Sequence, residues 1–384
     1  MSAHDVIVVG AGIMGTSVAW ALAKRGFRVV VLDQAALPNA DGSSIGPTRL
    51  IRYPYGPMHG YARMVSDAFS AWEKLWLDLG ERLIVERGLI IISDGEDPWV
   101  AGAEQSMAVM EVPHARLNAN ELRTRFPLLR VGDGEWGLTT PTGGILLTRR
   151  ILEGMHAWLV EKGIGLHSNS PVDEVDADRS TVRLRSGETL EAGWIVTAAG
   201  PWTPRLIPEL ASVLTPSRQL DIDVTVPADR QAAWADMPIL LDGVAWRSNG
   251  FYAVPPVDGH PLKVGDHRFT MTGDPDRNRT PVPSELEQIF ELFAARVADV
   301  DGYAVAGGRS CFYTVAPDER FQLDQWGTHL ALSGFSGHGF KFGPLLGEAM
   351  AMLVAGERDF SSVKVLFEGR NLADGEPERW SEAS

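Results

Sequence analysis

Cysteine is nearly absent: Cys311 is the one thiol in 384 residues. A single thiol excludes an intrachain disulfide framework and any cysteine-rich zinc site. It fits a reducing compartment. Positive charge is also short, with 35 Lys and Arg against 50 Asp and Glu and a formal net charge of −15. A net acidic chain without a basic run is a poor partner for nucleic acid or an anionic membrane. Local basic residues still suffice for a small anion. Long apolar runs are missing, except Val6 to Ala23. That run follows Asp5 rather than a basic segment, and three glycines interrupt it, so it reads as neither signal peptide nor membrane span. The expectation is a soluble, cytoplasmic monomer with no nucleic-acid or membrane partner and no metal.

Glycine, by contrast, is plentiful at 40 residues, scattered rather than periodic. Scattered glycines point to tight turns and close backbone approach to a ligand. The length fits two or three domains. Val6–Val9 is a β-branched run typical of a buried parallel strand. The turn Gly10-Ala11-Gly12-Ile13-Met14-Gly15 follows, then a helix over 16–25 closed by Gly26, then a strand at Val29–Leu32 ending on Asp33. Helical spacing predicts a helix over 61–79 closed by Gly80. Ile84-Val85 and Leu89–Ile92 read as strands, and 149–162 as a helix stopped by Gly163. Residues 181–192 alternate around Ser186-Gly187 as a hairpin, and Trp194–Thr197 reads as a further strand. Ser284 with Glu287 forms a capping-box pattern opening a helix to about Val297. His329–Ser333 reads as a strand and 344–354 as a helix.

Gly10, Gly12 and Gly15 form a Gly-x-Gly-x-x-Gly fingerprint in its full context: after a strand, before a helix, with Asp33 ending the next strand 18 residues after Gly15. Gly10 allows the tight turn, Gly12 lets backbone approach a pyrophosphate, and Gly15 permits close helix–strand packing. The helix N-terminus offers its free N–H groups to phosphate. Asp33 would accept from ribose hydroxyls. NAD and FAD share this fingerprint. Two later segments favour FAD: Thr197-Ala198-Ala199-Gly200 ends a second strand, and Gly334–Phe342 lies between a strand and a helix near the other end of the chain. A cofactor touched by both ends of the chain is extended and deeply buried. It also makes its domain discontinuous.

These motifs resemble monomeric sarcosine oxidase and N-methyltryptophan oxidase, within the D-amino-acid-oxidase-like flavoproteins. The resemblance spans nearly the whole chain. It rests on the fingerprint, Gly46–Arg52, Lys263–His267, Ser310–Thr314 with Pro317-Asp318, and Gly334–Phe342. It implies a mixed α/β fold: a Rossmann-like FAD-binding domain, discontinuous over 1–84, 145–217 and 308–384, with an inserted antiparallel-sheet substrate domain over 85–144 and 218–307. Flavin contacts are implied at Gly10, Gly12, Ile13, Met14, Gly15, Asp33, Thr48, Arg49, Val172, Ala199, Gly200, Trp202, Cys311, Gly337, Gly339 and Lys341. Cys311 matches the cysteine that binds the 8α position of the flavin covalently. Lys263 matches the lysine that activates oxygen. Arg52 and Lys341 match a pair gripping the substrate carboxylate, and His267, Tyr252 and Tyr313 line the substrate pocket. Ile45, Pro47 and Tyr53-Pro54 depart from the family's usual His, Asp and His-Ala, and these changes bear on the substrate.

The implied chemistry is oxidation of a small secondary amino acid to an imine, with oxygen reduced to hydrogen peroxide. A planar Arg52 fork and a Lys341 point charge suit a carboxylate. Arg49 and Thr48 match residues that the resemblance places close to the flavin ring. His267 either assists deprotonation of the substrate ammonium or shapes the pocket as a neutral ring. The Lys263 ammonium would stabilise the negative charge that builds on oxygen. Three competitors stay open: a dehydrogenase using another electron acceptor, a flavin-dependent 2-hydroxy acid oxidase, and a flavin-bearing scaffold without catalysis.

Overall fold

A computed structural model describes residues 4–246, 250–266 and 268–370. The apolar run His4–Val9 is the central strand of a parallel core, paired with Val29–Leu32 on one side and Thr189–Thr197 on the other. Gly165–His167 extends this core beyond Val29–Leu32, and His329–Ser333 pairs in parallel with Thr189–Thr197. Burial on both faces explains why these strands read as unbroken Val and Ile rather than alternating. The antiparallel strands Val172–Asp176, Thr181–Leu184 and Gln322–Trp326 complete an eight-stranded sheet.

The expected break between a hairpin and a strand at Trp194 does not occur. Thr189–Thr197 is one strand. Its first half pairs with Thr181–Leu184 and its second with His4–Val9 and His329–Ser333. Gly193 stays extended, and its bare Cα lets the Asp5 carbonyl approach.

A second eight-stranded sheet is almost wholly antiparallel. Its order is Ala304–Val315, Thr215–Thr225, Leu262–Asp266, Phe251–Val254, Ile239–Asp242, Leu89–Asp94, Glu135–Thr140 and Ala115–Asn118. Helix Pro283–Arg296 covers one face, where Ile289 and Phe293 pack with Ile222, Val264 and Phe251. Arg296 pins that helix through Asp242 at 2.7 Å and Glu135 at 2.6 Å. The helix starts one residue before the expected Ser284. Val282 is the cap, Pro283 takes the first position, and Glu285, not Glu287, accepts from the Val282 amide at 2.9 Å. Proline at the first helical position fixes φ where no intrahelical donor is needed. A third, small sheet joins Arg49–Ile51, Gly144–Leu146 and Ile84–Glu86. Ile84–Glu86 and Leu89–Asp94, neighbours in sequence, thus belong to different sheets.

The first helix, Ile13–Lys24, lies against helix Gly343–Val354 from the far end of the chain. Glycine makes this contact possible. A Cβ on Gly343 would stand 2.5 Å from Ile13 Cγ1, and one on Gly347 2.5 Å from the Ser17 backbone carbonyl. Gly347→Ala is therefore expected to lower stability by about 1–3 kcal/mol, the range for an overpacked interior. Urea unfolding followed by tryptophan fluorescence measures this. An unchanged midpoint would show that the two helices part without penalty.

Candidate active site

The site forms where the carboxyl ends of the parallel strands meet the charged face of the second sheet. Gly10 has φ +106°, and a Cβ there would lie 2.4 Å from the Ala198 carbonyl oxygen. A Cβ on Gly15 would stand 1.8 Å from the Gly10 carbonyl. Side chains at either position would close the turn, so both glycines are steric necessities. The Asp33 carboxylate braces the turn. One oxygen accepts from the Ala11 amide at 2.9 Å, and the other from Ala35 N and Asn39 Nδ2, each at 3.0 Å.

Two supports of this turn escaped the sequence reading. Ser44 Oγ accepts from the Ile13 amide at 2.9 Å, at the start of the first helix. His156, from helix Thr148–Glu161, sits beneath the turn with Nε2 3.1 Å from the Ala11 carbonyl and 3.2 Å from Thr16 Oγ1. A carbonyl only accepts, so Nε2 carries the proton. Burial pushes this histidine's pKa down, so it serves as a neutral donor. No local signal marks it, because its partner is 145 residues away.

A cleft of about 540 Å³ runs along this edge. Asp33 and Val172 line it with Gly10, Gly12, Ile13 and Met14. Ala199, Gly200 and Trp202 follow, then Arg49, Tyr313, Gly337 and Gly339. Of the expected cofactor residues, Gly15, Thr48, Cys311 and Lys341 are not on its wall. Gly15 packs under the turn. Thr48 is buried and presents its carbonyl to two cations. Cys311 is partly buried beside Phe312 and Tyr313, which do line the cleft.

Lys341 lines a smaller pocket of about 70 Å³ that shares Arg49, Tyr313, Gly337 and Phe340 with the cleft. This pocket gathers Arg52, Tyr252, Lys263 and Lys341 as well. The structure thus joins every expected catalytic or substrate residue except His267, which lies outside the described residues. Segments up to 292 positions apart in sequence meet here, carried on strands and on the turn before helix Gly343–Val354.

The charges in this pocket are peculiar. Lys341 Nζ donates to Tyr55 Oη and to the His338 carbonyl, both at 2.9 Å. The Arg52 guanidinium donates to the Pro54 carbonyl and lies 5.2 Å from the Tyr55 ring centre. Among the described residues neither cation has a carboxylate partner. Burial, then Arg52 itself, holds the Lys341 ammonium well below the usual lysine range, and burial lowers Arg52 too. Such a pair is arranged for an anion supplied from outside. Tyr55 touches both cations and was not among the expected site residues.

Arg49 and Lys263 share one carbonyl. Arg49 Nη1 donates to Thr48 O at 2.8 Å and Lys263 Nζ to the same oxygen at 3.1 Å. Arg49 also holds the Ser43 carbonyl at 2.8 Å. Burial pulls the Lys263 ammonium down to about 8. The Tyr252 and Tyr313 phenols are pushed up by burial and stay neutral. Burial raises the Cys311 thiol, against the pull of Arg49 and Lys263.

The FAD dependent oxidoreductase (DAO) family profile matches residues 5–353. The chain belongs to this family. It is 28% identical over 361 residues to the N-methyl-L-tryptophan oxidase of Salmonella heidelberg (strain SL476), covering 92% of this chain and 95% of that protein. The N-methyl-L-tryptophan oxidase of Yersinia pestis (strain Pestoides F) is 28% identical over 360 residues, 91% and 94% of the two chains. Among solved structures, NikD, an unusual amino acid oxidase essential for nikkomycin biosynthesis, superposes with a TM-score of 0.81 at 22% identity, over 98% of this chain and 100% of that one. L-proline dehydrogenase from P. horikoshii gives 0.80 at 19% identity, over 96% and 97%. These structures share the fold.

FAD fits what the cleft offers. The glycine turn leaves room for a pyrophosphate, Asp33 lines the cleft where a ribose would lie, and Arg49 and Tyr313 line it as well. The chain is an FAD-dependent oxidoreductase of mixed α/β architecture. Among the described residues no helix is long and apolar enough to cross a membrane.

The uncompensated lysine yields a stability prediction. A base whose folded pKa is depressed subtracts stability below its unfolded value of about 10.4, and the penalty disappears above it. Lys341→Met should therefore raise the stability of the flavoprotein by about 1–2 kcal/mol at neutral pH. The gain should fade as pH approaches 10. Urea midpoints across that pH range check this, and a Met variant less stable than the wild type at pH 7 would contradict it.

Proposed function

We propose that the protein is an amine oxidase acting on a small secondary amino acid: N-methyl, N-substituted or cyclic. The carrying observation is the pair Arg52 and Lys341, two buried cations without carboxylate partners among the described residues, in a pocket that shares lining residues with the cleft. They would clamp the substrate carboxylate. Arg52 supplies the fork, Lys341 the point charge, and Tyr252 and Tyr313 the walls around the amine. In the net reaction a C–N single bond becomes C=N. Two electrons and two protons leave the substrate, and oxygen takes both to become hydrogen peroxide. Bound FAD supplies the two-electron chemistry. Arg49 and the first turn of the helix at Gly343 would stabilise negative charge at the ring end of the cleft, and the Lys263 ammonium would do so where oxygen is reduced. His267 keeps both of its expected roles in this reading. The N-methyl-L-tryptophan oxidases at 28% identity support an N-substituted amino acid as substrate and oxygen as acceptor.

The reading places FAD binding in 1–84, 145–217 and 308–384 and substrate binding in 85–144 and 218–307. Sheet membership follows the division only roughly: Ile84–Glu86, Gly144–Leu146, Thr215–Thr225 and Ala304–Val315 each run across one of its boundaries. Asp33, Val172, Ala199, Gly200 and Trp202 would contact FAD from the cleft wall. This reading keeps the chain as a monomer and takes it as cytoplasmic, since a lone thiol suits a reducing compartment.

Anaerobic mixing with sarcosine, N-methyl amino acids, proline, pipecolate and iminodiacetate tests the proposal. At least one should bleach the flavin, and air should restore the colour with release of peroxide. Bleaching that oxygen does not reverse would make the enzyme a dehydrogenase. Bleaching by 2-hydroxy acids alone would make it a hydroxy acid oxidase. Arg52→Lys and Lys341→Met should each weaken carboxylate binding by about 2–4 kcal/mol, roughly thirty- to thousandfold. An amine lacking the carboxylate should feel little of this.

The thiol of Cys311 is proposed to hold the flavin covalently. Its place in the same strand as Tyr313, with Arg49 and Lys263 acting on it, supports this. Acid-precipitated protein should stay yellow, whereas Cys311→Ala should release its flavin to the supernatant. A colourless wild-type pellet would refute the linkage.

A further inference from the structure

Lys263 belongs to a ladder of charge. In the second sheet Asp223 lies opposite Lys263, and Asp221 opposite Gly265. Arg309, on the neighbouring strand, lies opposite Asp221. Residues directly opposite one another project from the same face, as do alternate residues along each strand. Asp221, Asp223, Lys263 and Arg309 therefore share the face that carries Tyr252, Cys311 and Tyr313. The other face, with Ile222, Val224 and Val264, is apolar core.

Arg309 holds both carboxylates. It forks onto Asp223, at 2.6 Å and 2.9 Å, and its Nε lies 2.5 Å from Asp221 Oδ1. The Asp223 contacts are well-formed hydrogen bonds. The Asp221 contact is an ion pair with poor angles, so Asp221 Oδ1 is buried without a hydrogen bond. Asp221 is thus paired with Arg309 by charge alone, whereas Asp223 is paired by charge and by hydrogen bonds. Around Lys263 stand Arg49 from strand Arg49–Ile51, Asp221 and Asp223 from Thr215–Thr225, Tyr252 from Phe251–Val254, and Arg309, Cys311 and Tyr313 from Ala304–Val315. Arg49 and Arg309 repel its ammonium. Asp221 is the strongest influence favouring it.

We propose that Asp221 is a positioning residue of the oxygen-reducing step: its carboxylate is the counter-charge that keeps buried Lys263 an ammonium. This rests on the role given to Lys263 under the proposed function. It deepens that role by naming the group that sustains it.

The sign is definite. Lys263 is charged below its pKa and neutral above it, so reoxidation of the substrate-reduced enzyme by oxygen should slow as pH rises through about 8. Asp221→Asn removes the favourable charge and should move this fall-off about one pH unit lower, so that reoxidation near pH 7.5 drops several-fold. Arg309→Gln removes a repelling charge and should move it upward. The pH profile of anaerobic reduction by substrate should keep its shape in both. A merely structural lesion would slow both half-reactions and would not give shifts of opposite sign.

The second readout is independent of turnover. The 15N signal of the Lys263 ammonium, assigned by its loss in Lys263→Met, should titrate in the flavoprotein with a midpoint that moves down in Asp221→Asn and up in Arg309→Gln. Should Asp221→Asn fail to fold, Asp221→Ser, which also removes the carboxylate, should give the same downward shift, and an unmoved midpoint there overturns the proposal. A midpoint unmoved by these substitutions overturns the proposal. Normal reoxidation in Lys263→Met would instead remove the oxygen role of Lys263, and the ammonium titration would still show whether Asp221 sustains its charge.

Discussion

Buried positive charge is the constraint around which this molecule is built. Arg49, Arg52, Lys263 and Lys341 meet at the seam between two sheets, in a chain whose formal net charge is −15. Taking cations out of water is costly unless polar atoms replace the hydration shell. Here the replacements are mostly neutral: the carbonyls of Thr48, Ser43, Pro54 and His338, and the hydroxyl of Tyr55. Neutral acceptors satisfy the N–H groups without cancelling the charge. The result is a local positive field inside an acidic protein. Low-dielectric walls strengthen such a field, so a carboxylate that reaches the pocket is held even though the outer surface repels it.

Holding that arrangement requires rigid carriers. Arg49 comes from a short strand of the smallest sheet, Lys263 and Tyr252 from the middle of the second sheet, and Lys341 from the turn leading into helix Gly343–Val354. The last of these depends on Gly343 and Gly347, whose bare backbones let that helix lie on Ile13 and Ser17. The same contact fixes the start of the first helix, where the glycine turn opens. The cofactor end and the substrate end of the site are therefore tied through one helix pair. Gly337 adds to this: with φ +80°, a Cβ there would strike the Tyr313 ring at 2.3 Å.

What was legible in the sequence follows from range. The strand–turn–helix–strand unit over 4–33 is encoded locally, by glycine conformations and β-branched runs. The lysines and arginines of the pocket were legible through family resemblance, since nothing in their own neighbourhoods marks them. His156, Ser44 and Tyr55 were not legible, because their meaning lies in partners 31 to 286 residues away. The strand Thr189–Thr197 was divided in two because its partners change midway, a tertiary event without a sequence mark. The cap at Val282 was misplaced because two acidic residues compete for one role, and Pro283 decides between them.

The second sheet shows how one strand serves two masters. Between Gln219 and Val224 the residues alternate strictly. Leu220, Ile222 and Val224 face the helix Pro283–Arg296, while Gln219, Asp221 and Asp223 face the seam. The period of two separates stability from chemistry at single-residue resolution. Changes on the apolar face disturb packing against Phe293 and Trp234. Changes on the charged face alter the field at Lys263 and leave that core in place. A sheet built this way can vary its active-site charges while its packing stays fixed. That separation is why a pocket of destabilising cations can persist: the helix-covered face supplies the burial, and the seam is free to be selected for what it binds.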